Sequence, residues 1–118
     1  VGAHLIHNMR HVAVRVRGDI LDIFYSRGED CPERILYSSM PLVGDWRSWT
    51  PTEPVTVLEP ELDYEGGDEP LVASSFGAIH QPVRQLRDPA LFEEAGKLYL
   101  FYSNAGESGI SGAEVIDL

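Results

Sequence analysis

Asp88 stands in the tripeptide Arg87-Asp88-Pro89, with Arg84 three residues upstream. A carboxylate beside two guanidinium groups can act as an acid–base group or as an acceptor for a ligand, paired to Arg84 or Arg87. The alternative is that Asp88 only fixes its own turn. A second carboxylate-rich stretch runs Glu59, Glu61, Asp63, Glu65, Asp68, Glu69, around Gly66-Gly67. Clustered carboxylates suit Ca²⁺, but the regular spacing of a calcium loop is missing, and a solvated acidic loop accounts for them. His4, His7 and His11 have the three- and four-residue spacing of a metal-binding helix face. No carboxylate or Cys accompanies them and the surroundings read as strand, so no metal and no cofactor is expected. Trp46 and Trp49 follow Asp45 and offer either a sugar-stacking surface or ordinary packing of one sheet on its neighbour. Cys31 is alone and reads as a bystander thiol.

The elements that must position these groups are strands. Arg87 to Ser103 reads as strand, turn, strand, with Ala95-Gly96 at the turn and Asp88-Pro89 at the opening, where Pro is tolerated. Leu98–Tyr102 is apolar and aromatic throughout, the composition of a strand buried on both faces. Residues 109–115 supply a third strand. The unit occurs twice. Phe24-Tyr25-Ser26 recurs as Phe101-Tyr102-Ser103, 77 residues later, and at that offset His11 falls on Asp88, Leu21 on Leu98 and the turn Gly18-Asp19 on Ala95-Gly96. Val12, Val14 and Val16 alternate with Ala13, Arg15 and Arg17, the pattern of a half-buried strand. The first copy continues through Asp45-Trp46 to a fourth strand at Val55–Leu58. The second is expected to lack its fourth strand.

The expected fold is all-β, one domain over 1–118: a first antiparallel unit at 9–58, an acidic loop or linker at 59–85, and a second unit at 86–118. Nineteen acidic residues against nine Lys and Arg give a net charge of −10, which repels phosphate backbones and argues against nucleic acid. No apolar run approaches the ~18 residues of a membrane-spanning helix. No signal-peptide pattern is visible, so the expected location is cytoplasmic.

The residues Met9-Arg10-His11-Val12-Ala13-Val14, Glu33-Arg34-Ile35-Leu36-Tyr37-Ser38, Asp45-Trp46, Tyr64-Glu65-Gly66, Arg87-Asp88-Pro89-Ala90-Leu91-Phe92 and Gly106-Glu107-Ser108-Gly109-Ile110, in that order, resemble the five-bladed β-propeller glycosidases. That superfamily holds arabinanases, β-xylosidases, invertases and levansucrases. The resemblance covers roughly residues 8 to 118 and is nearest to the C-terminal part of bacterial members. It implies two propeller-like blades, a partial β-propeller, with sugar held at the inner ends of the first strands. It implies catalytic roles for Asp88 and, as the acid candidate, Glu65 or its neighbour Glu69, and binding roles for His11, His80, Arg84, Arg87, Trp46 and Trp49. Asp88 matches the family's Arg-Asp-Pro by type but falls in the last blade, whereas the family places that Asp in a middle blade.

Hydrolysis needs two facing carboxyl groups, and a ring of five blades of ~50 residues is about twice this chain. The expected function is therefore carbohydrate binding or assembly without robust turnover. Two rivals are a glycoside hydrolase whose site is completed in an oligomer, and a structural fragment with no ligand. Two blades leave apolar flanks and an open edge, so a homo-oligomer is expected, a dimer before a trimer. The segment Val1–His7 is the candidate to fill that edge.

Overall fold

A computed structural model describes residues 7–118. Among the described residues, seven strands form two antiparallel sheets. The first holds β1 (Met9–Arg17), β2 (Ile20–Arg27), β3 (Ile35–Pro41) and β4 (Val55–Leu58), hydrogen-bonded in that order. The second holds β5 (Arg87–Glu94), β6 (Lys97–Asn104) and β7 (Gly109–Val115). Among the described residues the only helical pieces are two three-residue 3-10 turns, Trp46–Ser48 and Asp63–Glu65. Most of the edge-filling segment Val1–His7, and His4 of the histidine trio, lie outside the described residues.

The turns follow from their residues. Ala95 and Gly96 both take positive φ, 51° and 77°, the paired left-handed geometry that matches the twist of a two-residue hairpin. The sheets meet through Phe24, Ile35, Leu86, Leu100 and Tyr102, with Tyr37, Leu58, Leu91, Ala113 and Val115 around them. Each large apolar side chain buried there contributes about 1.5–3 kcal/mol. A second cluster, Ile23, Tyr25 and Leu36, lies on the far side of the first sheet, with Met9, Leu21 and Met40 against it.

Two strands differ from expectation. On β1 it is Val12, Val14 and Val16 that are exposed, while Ala13 and Arg15 turn inward. Arg15, with Ala13 on the same face, is drawn in by the buried carboxylate of Asp22 on the facing strand. It accepts from Arg15 at 3.3 Å, from Arg17 at 3.0 Å and from the Tyr37 hydroxyl at 2.7 Å. Alternation separates two faces but does not say which is inside. On β6 only one face is covered: Leu98, Leu100 and Tyr102 are buried, whereas Phe101 is exposed.

Residues 59–85 hold no strand but are not a free acidic loop. Ser74 N–H donates to Asp30 O, Ala105 N–H donates to Glu65 O, and the Ser74 hydroxyl accepts from Glu29 N–H. Gly66, at φ 90°, passes so close to the Val83 carbonyl that a Cβ there would lie 2.2 Å from its oxygen. Only glycine fits that crossing. The segment is pinned across the ends of both sheets.

Candidate functional site

Each sheet opens on the same local device. Pairing of β1 with β2 jumps from Arg10↔Ser26 to Ala13↔Phe24, and pairing of β5 with β6 jumps from Arg87↔Ser103 to Ala90↔Phe101. In each case two residues oppose one, a β-bulge. The first bulged residue is His11 in one sheet and Asp88 in the other, at φ 53° and 54°. Left-handed backbone costs a non-glycine residue roughly 1–2 kcal/mol, although Asp and His tolerate it better than most. Both bulges re-aim a polar side chain, and the two side chains meet: His11 Nε2 lies 3.2 Å from Asp88 Oδ1. Both are partly open to solvent, 29 % for His11 and 43 % for Asp88.

The serines of the repeated Phe-Tyr-Ser take equivalent places behind them. Ser103 Oγ donates to Asp88 Oδ2 at 2.9 Å, and Ser26 Oγ lies 3.5 Å from His11 Nδ1. Beneath this pair is a buried ionic cluster. Glu33, fully buried, accepts from Arg10 Nη2 at 2.5 Å, from Arg10 Nε at 3.0 Å and from Ser26 Oγ at 2.6 Å, and Arg87 Nε lies 3.5 Å away. Arg10 and Arg87 immediately precede the two bulged residues, so one carboxylate ties both strand starts together. The bond to Glu33 holds the Arg10 guanidinium above its ordinary pKa despite partial burial. Burial lowers that of Arg87, against the pull of Glu33, but an arginine remains charged. Arg87 is completed by the Gln85 side-chain oxygen, at 2.9 and 2.5 Å, and the Gly77 carbonyl at 2.9 Å. Phe76 covers the outer side of Arg10, its ring centre 5.2 Å from the guanidinium carbon.

Asp88 lines an open depression of about 600 Å³ with Ser103, Glu107, Ser108, Gly109 and Ile110. Glu107 Oε2 accepts from Ile79 N–H at 3.1 Å, and its Oε1 lies 3.8 Å from Arg87 Nη1. Two carboxylates and two hydroxyl oxygens on one surface can accept from the hydroxyls of a neutral ligand, the serine protons being given to Asp88 and the Ala105 carbonyl.

Several expected residues are elsewhere. The side chain that meets Asp88 is His11 rather than the expected Arg84 or Arg87, because Arg87 is drawn inward to Glu33 and Gln85. Arg84 keeps a buried Nε without a hydrogen-bond partner. Glu65 is buried, and its carboxylate accepts from the N–H groups of Glu61 and Leu62 and from the Tyr102 hydroxyl at 3.0 Å. Burial, together with that bond, pushes the Tyr102 hydroxyl up to about 12. Tyr102 and Ser103 point to opposite sides of β6, so Glu65 and Asp88, each bonded to one of them, are not brought together. Glu65 stitches the 59–85 segment to the second sheet. Trp46 is 64 % exposed rather than packed between sheets, and Trp49 Nε1 donates to Val43 O. Neither lines the depression at Asp88. His80 is exposed on the connecting segment.

Glu33, Arg10, Ser26, Ser103 and Glu107 were not singled out from the sequence as site residues. For the serines, the repeated Phe-Tyr-Ser was the available signal, since each follows its strand's aromatic pair and faces the bulge. Glu107 had a weaker one: it follows Gly106 in the turn between β6 and β7. Glu33 stood at the head of the 33–38 motif with nothing to mark its role, because a buried carboxylate is recognised only by the partners around it.

No family model matches the chain, and no solved structure matches it. The chain is similar to an uncharacterized protein of Acanthamoeba polyphaga mimivirus, 45% identical over 108 residues. The match takes in 91% of this chain and 30% of that protein, so the chain spans less than a third of its relative's length. The relative is viral, whereas the motif resemblance is nearest to bacterial proteins.

Proposed function

We propose that the chain supplies two adjacent propeller-like blades whose strand starts form a carbohydrate-binding surface without robust turnover of its own. The observation that carries this reading is the pair of left-handed bulges, at equivalent positions, that bring His11 and Asp88 into contact at a partly open surface. Backbone strain held by a buried ionic cluster marks a place where side-chain direction matters more than local stability. The surface suits a hydroxyl-rich ligand: Asp88 and Glu107 accept, and so do the Ser103 and Ser108 oxygens, whose own protons go to Asp88 and to the Ala105 carbonyl. A glycosidase-like assignment rests on the motif resemblance and on this placement of Asp88 at a first-strand start.

A second reading is hydrolysis with a site completed by another copy. The observation favouring it is Glu107, a second carboxyl on the same depression as Asp88. One titration addresses both. Arabinose, xylose and a fructoside are titrated into labelled protein, followed by amide shifts, and the same samples receive chromogenic glycosides. Binding is expected to shift the residues around Asp88, Ser103 and Glu107 and to weaken at least tenfold in Asp88→Asn, a loss of ~1.4 kcal/mol. Absence of any shift with all three sugars would remove the binding reading. Robust hydrolysis, lost in Asp88→Asn, would replace it with the enzymatic one.

A further inference from the structure

Two apolar stripes remain open on the described surface. One is Val12, Val14 and Val16 on β1; the other is Phe92 on β5 with Phe101 on β6. All five side chains are between 41% and 65% exposed. They lie on opposite flanks of the two-sheet body, one on the outer side of each sheet.

The internal interface says what each stripe is built to meet. It runs along β5, which packs on β1 and β2. Leu91, Leu100 and Tyr102 press there against the side of the first sheet that carries Phe24, Ile35 and Tyr37. At the 77-residue offset, Pro89, Leu91 and Glu93 correspond to Val12, Val14 and Val16. The exposed valines thus occupy the positions that, one unit later, cover a neighbouring sheet. Conversely, Phe92, Tyr99 and Phe101 correspond to Arg15, Asp22 and Phe24, the side that is covered. The open flanks are the two unmatched halves of a contact the molecule already makes once.

The chemistry agrees with this correspondence. Inside the chain, Arg15 Nε lies 3.5 Å from Glu93 Oε1 across the interface. Its equivalents are Phe92 and Val16, so a repeated contact exchanges an ion pair for an apolar one that can form between separate molecules at little desolvation cost. Behind the valines, Ile23, Tyr25 and Leu36 are already buried. The new contact is therefore carried by β1 alone, whereas the internal one uses β5 together with Leu100 and Tyr102 of β6, the equivalents of Ile23 and Tyr25.

We infer that a second copy of this chain docks head to tail, the Val12–Val14–Val16 stripe of one copy on the Phe92–Phe101 flank of the next, repeating the part of the internal interface that β5 makes. Such a contact is heterologous, and it closes into a ring or extends. It differs from a two-fold pairing of like surfaces.

Light scattering on the 118-residue chain and two surface variants, Val16→Asp and Phe92→Asp, tests it, with circular dichroism melts to establish that each variant is folded. The wild type is expected at a whole multiple of 13.1 kDa, and each variant alone at 13.1 kDa. Mixing the two variants restores one intact contact, Phe92 of the first with Val16 of the second, and yields a one-to-one pair. A wild type that stays at single-chain mass up to high micromolar concentration overturns the inference. So does a Val16→Asp variant that still associates, or a mixture that does not, because both belong to a two-fold contact. Should Phe92→Asp fail to fold, Phe101→Asp replaces it, since both side chains are on the same flank.

Discussion

The two sheets use one backbone plan to hold opposite chemistry. At the position of Asp22 in the first sheet the second has Tyr99, and at Arg15 it has Phe92. In the first sheet this spot is a buried carboxylate satisfied by Arg15, Arg17 and Tyr37. In the second it is an open ring pair, Phe92 over Tyr99 at 6.4 Å between centres. The difference follows what lies above. Under a neighbouring sheet a charge survives only with its full set of partners, and once that set is in place the arrangement is specific. On an open flank the same positions carry aromatic surface, which stays tolerable in water and ready for a partner. The bulges repeat the lesson: His11 and Asp88 share φ, register and a serine neighbour, yet one carries an imidazole and the other a carboxylate, and that difference lets a ring nitrogen meet a carboxylate oxygen.

The comparison breaks most severely at Glu33, which is common to both halves. Glu33→Ala leaves Arg10 and Arg87 buried without their carboxylate, and the expected loss is about 3–5 kcal/mol, read from urea melts. If the variant melts within 1 kcal/mol of wild type, the cluster does not join the two strand starts. Amide spectra sharpen the point, since both bulges should shift together rather than one alone.

The polar spot of the first sheet comes next. Asp22→Ala removes an acceptor from two arginines and a tyrosine and is expected to cost about 1.5–3 kcal/mol. Its pH dependence has a defined sign. Burial acts to raise the Asp22 carboxyl, but the bonds from Arg17 and Tyr37 outweigh it and hold the group below its ordinary value. A depressed carboxylate contributes stability above its unfolded value of about 3.9, and that contribution is lost as pH falls through the folded value. Acid melts of wild type and Asp22→Asn should therefore converge below pH ~4 and separate above it. Parallel curves throughout would show that Asp22 contributes no proton-linked stability.

The smallest expected effect tests the strain. Glycine at both bulges, His11→Gly with Asp88→Gly, relieves two left-handed non-glycine residues while deleting their mutual contact. We expect a net gain of about 1 kcal/mol, with loss of any sugar response. A drop of similar size would show that the His11–Asp88 contact outweighs the backbone cost.

Much of this architecture follows from local chemistry. Period-two alternation, Gly-containing turns and the repeated Phe-Tyr-Ser were enough to place seven strands in two units and to align His11 with Asp88, because strand periodicity and turn geometry depend on residues near in sequence. Which side of each strand is covered was beyond reach. The valines of β1 looked like core and Arg15 like surface, and the order was reversed by Asp22 on another strand. Glu65 looked like a solvated acid until the N–H groups of Glu61 and Leu62 and the Tyr102 hydroxyl, 37 residues away, closed around it. Glu33 opened a recognisable motif but its role was not legible, since that role exists only once Arg10 and Arg87, from different sheets, converge on one carboxylate. Local sequence sets where the chain can extend and turn; the partners of a buried charge come from distant segments, and only the packed structure brings them within hydrogen-bonding reach.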